Sequence, residues 1–144
     1  LRYRCAMRCF LLTVAALPGW AFASVTFAIP APGYPMPAVF SGTNCRASGL
    51  ASAEGTNLKE VELWLKQGSL ELKAASWSHV QGPGVEPQRG FAVRFASTHF
   101  QHGQELWVYM KAKDGQDAWT TSAPVLVPVV NIAALYEKVE TVEV

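Results

Sequence analysis

His99 and His102, in the run His99-Phe100-Gln101-His102, come nearest to a pair of metal ligands in this chain. On a strand, side chains at that spacing point to opposite faces, and Glu105 is the sole carboxylate nearby. The pair therefore reads as a solvated turn, and the isolated His79 reads the same way. Ser41 and Ser122 lack the Gly-x-Ser-x-Gly context of a nucleophile elbow. Glu54, Glu60, Glu62 and Glu71 are scattered, with no spacing that pairs a general acid with a base. Gly82-Pro83-Gly84 is a poor phosphate cradle, because proline supplies no N–H and no helix follows. Asp114 and Asp117 flank a tight turn, but two carboxylates fall short of the roughly six to eight oxygens calcium takes. Each catalytic reading lacks a partner, so the expectation is a non-enzymatic chain with no cofactor and no bound metal.

The residues that do stand out are aromatic, and strands must position them. Val61, Leu63 and Leu65 alternate with Glu62, Trp64 and Lys66. Leu106, Val108, Met110 and Ala112 alternate with Trp107, Tyr109 and Lys111. A half-buried strand sends its apolar set to the core, so Trp64, Trp107 and Tyr109 are expected to face outward. If the two strands are neighbours, their outer faces form an aromatic surface that Trp119 joins across the Asp114-Gly115 hairpin. Three roles stay open for it: stiffening the sheet or packing on a neighbouring domain, contact with an extracellular protein, and stacking on carbohydrate.

The rest of the chain supplies further strands. Phe91, Val93 and Phe95 form another inward set against Ala92 and Arg94. Leu70 to Trp77 reads as a less regular return strand after the turn Gln67-Gly68-Ser69. Residues 119–130 read as a hairpin return, with Pro124 and Pro128 marking an edge or bulge. Ala38 to Ala47 is expected to be a strand interrupted at Gly42, and Ser48 to Asn57, rich in Ser, Gly and Ala, a loop. Pro30, Pro32, Pro35 and Pro37 make residues 24–37 an extended lead-in, with a short edge strand at Val25 to Ile29. About six or seven short strands with regular turn signals indicate an all-β sandwich over residues 38–130. Residues 131–144 read as a tail or the start of a following domain.

The N-terminus has a different character. Arg2, Arg4 and Arg8 precede an apolar run from Cys9 to Leu17, then Pro18-Gly19 and Ala21-Phe22-Ala23. That order reads as a signal peptide over residues 1–23, with Ser24 as the mature N-terminus. The apolar run is about half of the roughly 20 residues a membrane span needs. Losing three arginines with the leader changes a formal charge of +1 to −2, and neither value favours nucleic acid as a partner. Cys45 remains alone, as a buried small hydrophobe or, alternatively, an intermolecular bridge. The expected location is secreted, periplasmic or at the cell surface.

The segment Val61-Glu62-Leu63-Trp64-Leu65-Lys66-Gln67-Gly68 resembles the central strand of bacterial immunoglobulin-like domains. His102-Gly103-Gln104-Glu105 through Asp114-Gly115 is similar to that family's turn, long strand and hairpin, and Thr121-Ser122-Ala123-Pro124-Val125-Leu126-Val127 to its closing strand. Fibronectin type III domains share much of the pattern. The resemblance spans roughly residues 38–130 and implies an immunoglobulin-like sandwich of about seven antiparallel strands. It further implies a non-catalytic spacer, adhesion or protein-interaction module of an exported protein. Two alternatives accompany it: the front of a secreted hydrolase, and a carbohydrate-binding module.

Overall fold

The period-two segments become strands in the computed structural model of the chain, which describes residues 24–31, 33–81 and 89–131. The expected signal peptide of residues 1–23, the Gly-Pro-rich break and the expected tail beyond Asn131 fall outside the described residues. Eight strands follow in order: β1 Ser24–Ala28, β2 Cys45–Glu54, β3 Leu58–Gln67, β4 Leu70–Gln81, β5 Arg89–Phe95, β6 Glu105–Asp114, β7 Trp119–Thr121 and β8 Val125–Pro128. One sheet has the order β1-β2-β5. The other has the order β4-β3-β6-β7, with β8 also paired to β6. Among the described residues every strand pairing is antiparallel, and they form an all-β fold of two sheets closed on one core.

The core is built from the inward sets read in the sequence. Val61, Leu63, Leu106, Val108 and Met110 are completely buried, and Leu65 nearly so. Phe91 joins them from the smaller sheet, with Val93 and Phe95 packed at the margin. Aromatic edges knit the layers: Trp77 meets Phe91 at 5.0 Å between ring centroids, and Phe95 meets Phe40 at 4.9 Å and Phe100 at 5.9 Å. Buried Gln67 ties the end of β3 to the turn before β6. It accepts from Gln101 N–H at 2.7 Å and donates to Gln101 O at 3.2 Å.

Two expectations about the first half are corrected. Residues 48–54 are not loop but most of β2, the central strand of the smaller sheet. Its inward positions, Cys45, Ala47, Gly49, Ala51 and Ala53, are all small, because the facing sheet comes close. A Cβ on Gly49 would collide with Met110 Sδ and lie 2.9 Å from Ile29 Cγ1. Conversely, residues 38–44 are not a strand. Phe40 makes only a parallel bridge to Val129, and Gly42 turns the chain at φ +86°. Ser97 holds that turn, its Oγ accepting from Gly42 N–H at 2.9 Å and its N–H donating to Gly42 O at 2.9 Å. Cys45 is buried and free, its Sγ donating to Gly42 O at 3.6 Å.

The irregularity of the return strand has a physical cause. Leu63 pairs with Ala75 but Trp64 pairs with Lys73, so Ala74 is an extra residue on β4. This bulge switches the inward parity from Leu70 and Leu72 to Ala75 and Trp77. The hairpin return is likewise split into β7 and β8 around Pro124. In the gap, Ser122 Oγ accepts from Met110 N–H at 2.9 Å, replacing a ladder bond.

Candidate contact surface

The outer face of the larger sheet carries the aromatic residues singled out above. Register across β3 and β6 places Trp64 beside Tyr109 and Lys66 beside Trp107. Glu62 lies beside Lys111 and Glu60 beside Lys113 in the same rows. On the far side of β3, Lys73 stands next to Trp64 and Glu71 next to Lys66. The face is thus a lattice in which rings and opposite charges alternate.

At its centre the rings of Trp64 and Tyr109 stack, 6.3 Å apart and 10° from parallel. Lys111 Nζ lies 4.3 Å from the Trp64 centroid, and Lys73 Nζ lies 5.8 Å from it. Such cation–π contacts contribute about 0.5–1 kcal/mol each at exposed sites. Glu62 accepts from Trp64 Nε1 at 2.8 Å and from Lys73 Nζ at 2.8 Å. Burial by itself would raise the Glu62 pKa. The bonds from Lys73 and Trp64, with the charges of Lys73 and Lys111, outweigh it and hold the carboxyl below its ordinary 4.5. Tyr109 donates its hydroxyl to Glu71. Burial first, then that bond and the carboxylate charge, raise the phenol well above its usual range.

This centre is already saturated with its own contacts. Tyr109 points away from the core yet is only 8% exposed, because its sheet neighbours cover it. Glu62 has no free role as acid or base, since both its oxygens hold donors.

The exposed rings lie to either side. Trp107 and its β8 neighbour Leu126 are each 45% exposed and side by side in register. Trp119 is equally exposed and lies opposite Lys113, whose Nζ is 5.1 Å from its ring. Positions 107 and 113 on one strand are about 20 Å apart. The structure therefore joins Trp64 to Tyr109 and Trp107 to Leu126, but leaves Trp119 separate. Leu126 was missed in the sequence because nothing short of the β6–β8 register puts it beside Trp107.

The other polar candidates have structural partners. His102 Nδ1 accepts from Asn131 N–H at 3.0 Å. Exposed His99 ends a short 3-10 turn, Ser97–His99, beside an open-edged cleft of about 200 Å³ between β4 and β5. Asp114 is a turn cap, its Oδ1 accepting from Gln116 N–H at 2.8 Å and Ala118 N–H at 2.9 Å. Asp117 pairs with Lys59 at 3.1 Å. Among the described residues, no three His, Cys, Asp or Glu side chains converge as a metal site. None of the described helical segments is long and apolar enough to cross a membrane. In comparisons with known proteins, the chain matches no family model and no curated protein sequence.

Proposed function

We propose that this chain is a non-catalytic, immunoglobulin-like module of an exported protein that acts as a spacer, adhesion or protein-interaction domain. Its contact surface is the strip around Trp107 and Leu126. The strand order supports the immunoglobulin-like reading. The first, second and fifth strands form one sheet, and the third, sixth and the hairpin return form the other. Those groupings match the A-B-E and C-F-G strands of that architecture, with the fourth strand added beside the third. The export reading rests on the basic, apolar and Ala-x-Ala order of residues 1–23.

One observation carries the contact assignment. A tryptophan and a leucine stand together, half exposed, outside a core that is complete without them. Paired apolar exposure of that kind marks interaction sites, and tryptophan is enriched at binding hot spots. The Trp64–Tyr109 stack in the adjacent row stiffens the strands that present them.

The test is an NMR titration of the isotope-labelled chain, following backbone amide and indole N–H resonances. The probes are a panel of cell-envelope proteins and neutral soluble glucans. Shifts centred on Trp107, Lys66 and Leu126, abolished by Trp107→Ala, support the assignment. Shifts confined to other surfaces, or turnover of glycoside or ester substrates by the purified chain, overturn it. A glucan response at Trp107 identifies sugar stacking, and a protein response identifies adhesion.

A further inference from the structure

The opposite outer face, on the smaller sheet, holds an unexplained pair of charges. Register between β2 and β5 sets Arg46 directly opposite Arg94. Both point outward, since their neighbours Cys45, Ala47, Val93 and Phe95 belong to the core side. Like charges directly opposite on a sheet are destabilising, so folding alone gives no reason for the pair. Among the described residues neither guanidinium meets a carboxylate. Arg94 Nη1 donates to the neutral Asn44 Oδ1 at 3.2 Å, and Arg46 lies over the Tyr34 ring, 4.4 Å from its centroid. Most of their N–H donors are left open, in the fork geometry that matches an oxyanion.

The surroundings narrow the class of ligand. Tyr34 is fixed over the sheet, its N–H donating to Ala31 O at 2.9 Å and its carbonyl accepting from Ser48 Oγ at 2.6 Å. Beside this ring, which comes close to Gly90, is a cleft of about 300 Å³ lined by Tyr34, Arg46, Leu50, Gly90 and Ala92, with Arg94 outside it. That is the size of the smaller ligand clefts and suits a single hexose-sized ring. The rest of the face is short-chained: Thr26 and Ser52 are hydrogen-bonded to each other at 2.6 Å, and Ser48, nearer Arg46, is buried with its hydroxyl on Tyr34. Its one described carboxylate, Glu54, pairs with Ser24 at the far end of β2. A sugar ring bearing a carboxylate, continued along a face of short polar side chains, complements these features.

We infer that Arg46 and Tyr34, with the charge of Arg94 flanking them across the register, form a binding site for the carboxylate-bearing sugar of an acidic polysaccharide. The site is independent of the Trp107 surface. Calorimetric titration with trigalacturonate, neutral trigalactose and inorganic phosphate tests it. Trigalacturonate is expected to bind and to weaken with added salt, while the neutral trisaccharide produces no heat. Arg46→Gln and Arg94→Gln should each weaken binding by about tenfold or more, as loss of a charged hydrogen bond does. Trp107→Ala should leave this binding unchanged. In the free chain, Arg94→Gln should raise the denaturation midpoint, because it relieves the repulsion. Absence of binding by trigalacturonate at millimolar concentration overturns the inference, as does equal binding of the neutral sugar. Full affinity in both arginine variants overturns it too. Phosphate binding as tightly as the trisaccharide would show a simple oxyanion site and remove the sugar from it.

Discussion

Gly49→Ala is the most informative single substitution in the core, because it adds one methyl group where β2 lies directly against Met110 of β6. That methyl would meet Met110 Sδ, lie 2.9 Å from Ile29 Cγ1 and lie 3.5 Å from Ala28 O. Comfortable carbon contacts are about 3.5–4.0 Å, so two of these neighbours must give way. Met110 is fully buried in a close-packed layer and has little room to move. Overpacking of this kind costs about 1–3 kcal/mol. Met110→Ala alone should cost about 2–5 kcal/mol, by leaving a cavity over the same glycine. In the double variant the new methyl enters that cavity, so the combined loss should be smaller than the sum by about 1 kcal/mol or more. Urea denaturation of the wild type, both single variants and the double variant measures all the terms. A neutral Gly49→Ala, or strictly additive losses, would refute the close approach of β2 to β6.

Other outcomes follow from the lattice and the buried thiol. Glu62 ionises below 4.5 in the folded chain, so on acidification the unfolded chain takes up the proton first. Its stabilising effect is complete above that pH and is lost as pH falls through the folded value; Glu62→Gln should flatten that part of a stability–pH curve. Tyr109 shows the reverse: its folded phenol titrates above the ordinary 10.0, so stability should fall once pH rises past about 10. Tyr109→Phe should remove that alkaline loss in the same measurement. Cys45 should react slowly with a thiol reagent in the native state and rapidly in urea, read by mass; fast native labelling would contradict its burial.

How much of this could be read in advance depended on side-chain size. β3 and β6 were legible because large apolar residues alternate with polar and aromatic ones, and that contrast fixes which face meets the core. β2 alternates just as regularly, but its inward residues are Cys45, Ala47, Gly49, Ala51 and Ala53. Small residues carry little hydrophobic contrast, and the same composition describes a loop. The bulge at Ala74 left its trace only as the irregular pattern of Leu70 to Trp77, which did not reveal that a residue was extra. For the outer face, parity gave direction but not exposure. Tyr109 faces outward and is nevertheless buried, because Trp64 and Glu71 reach it from positions that only the register brings near. Trp107 stays open because its row neighbours are Lys66 and Leu126, and Leu126 leaves much of itself in water.

The proposed contact surface depends on Trp107 and Val108, adjacent in sequence, having opposite duties. Parallel measurement of stability and partner binding for Trp107→Ala and Val108→Ala is the most direct test. Val108 is completely buried, so its truncation should cost about 2 kcal/mol or more. The surviving folded fraction should bind as the wild type does. Trp107→Ala should cost about 1 kcal/mol or less, the scale of a cross-strand contact, and abolish binding. Equal destabilisation by the two changes, or full binding by Trp107→Ala, would contradict the assignment of this face as the contact surface.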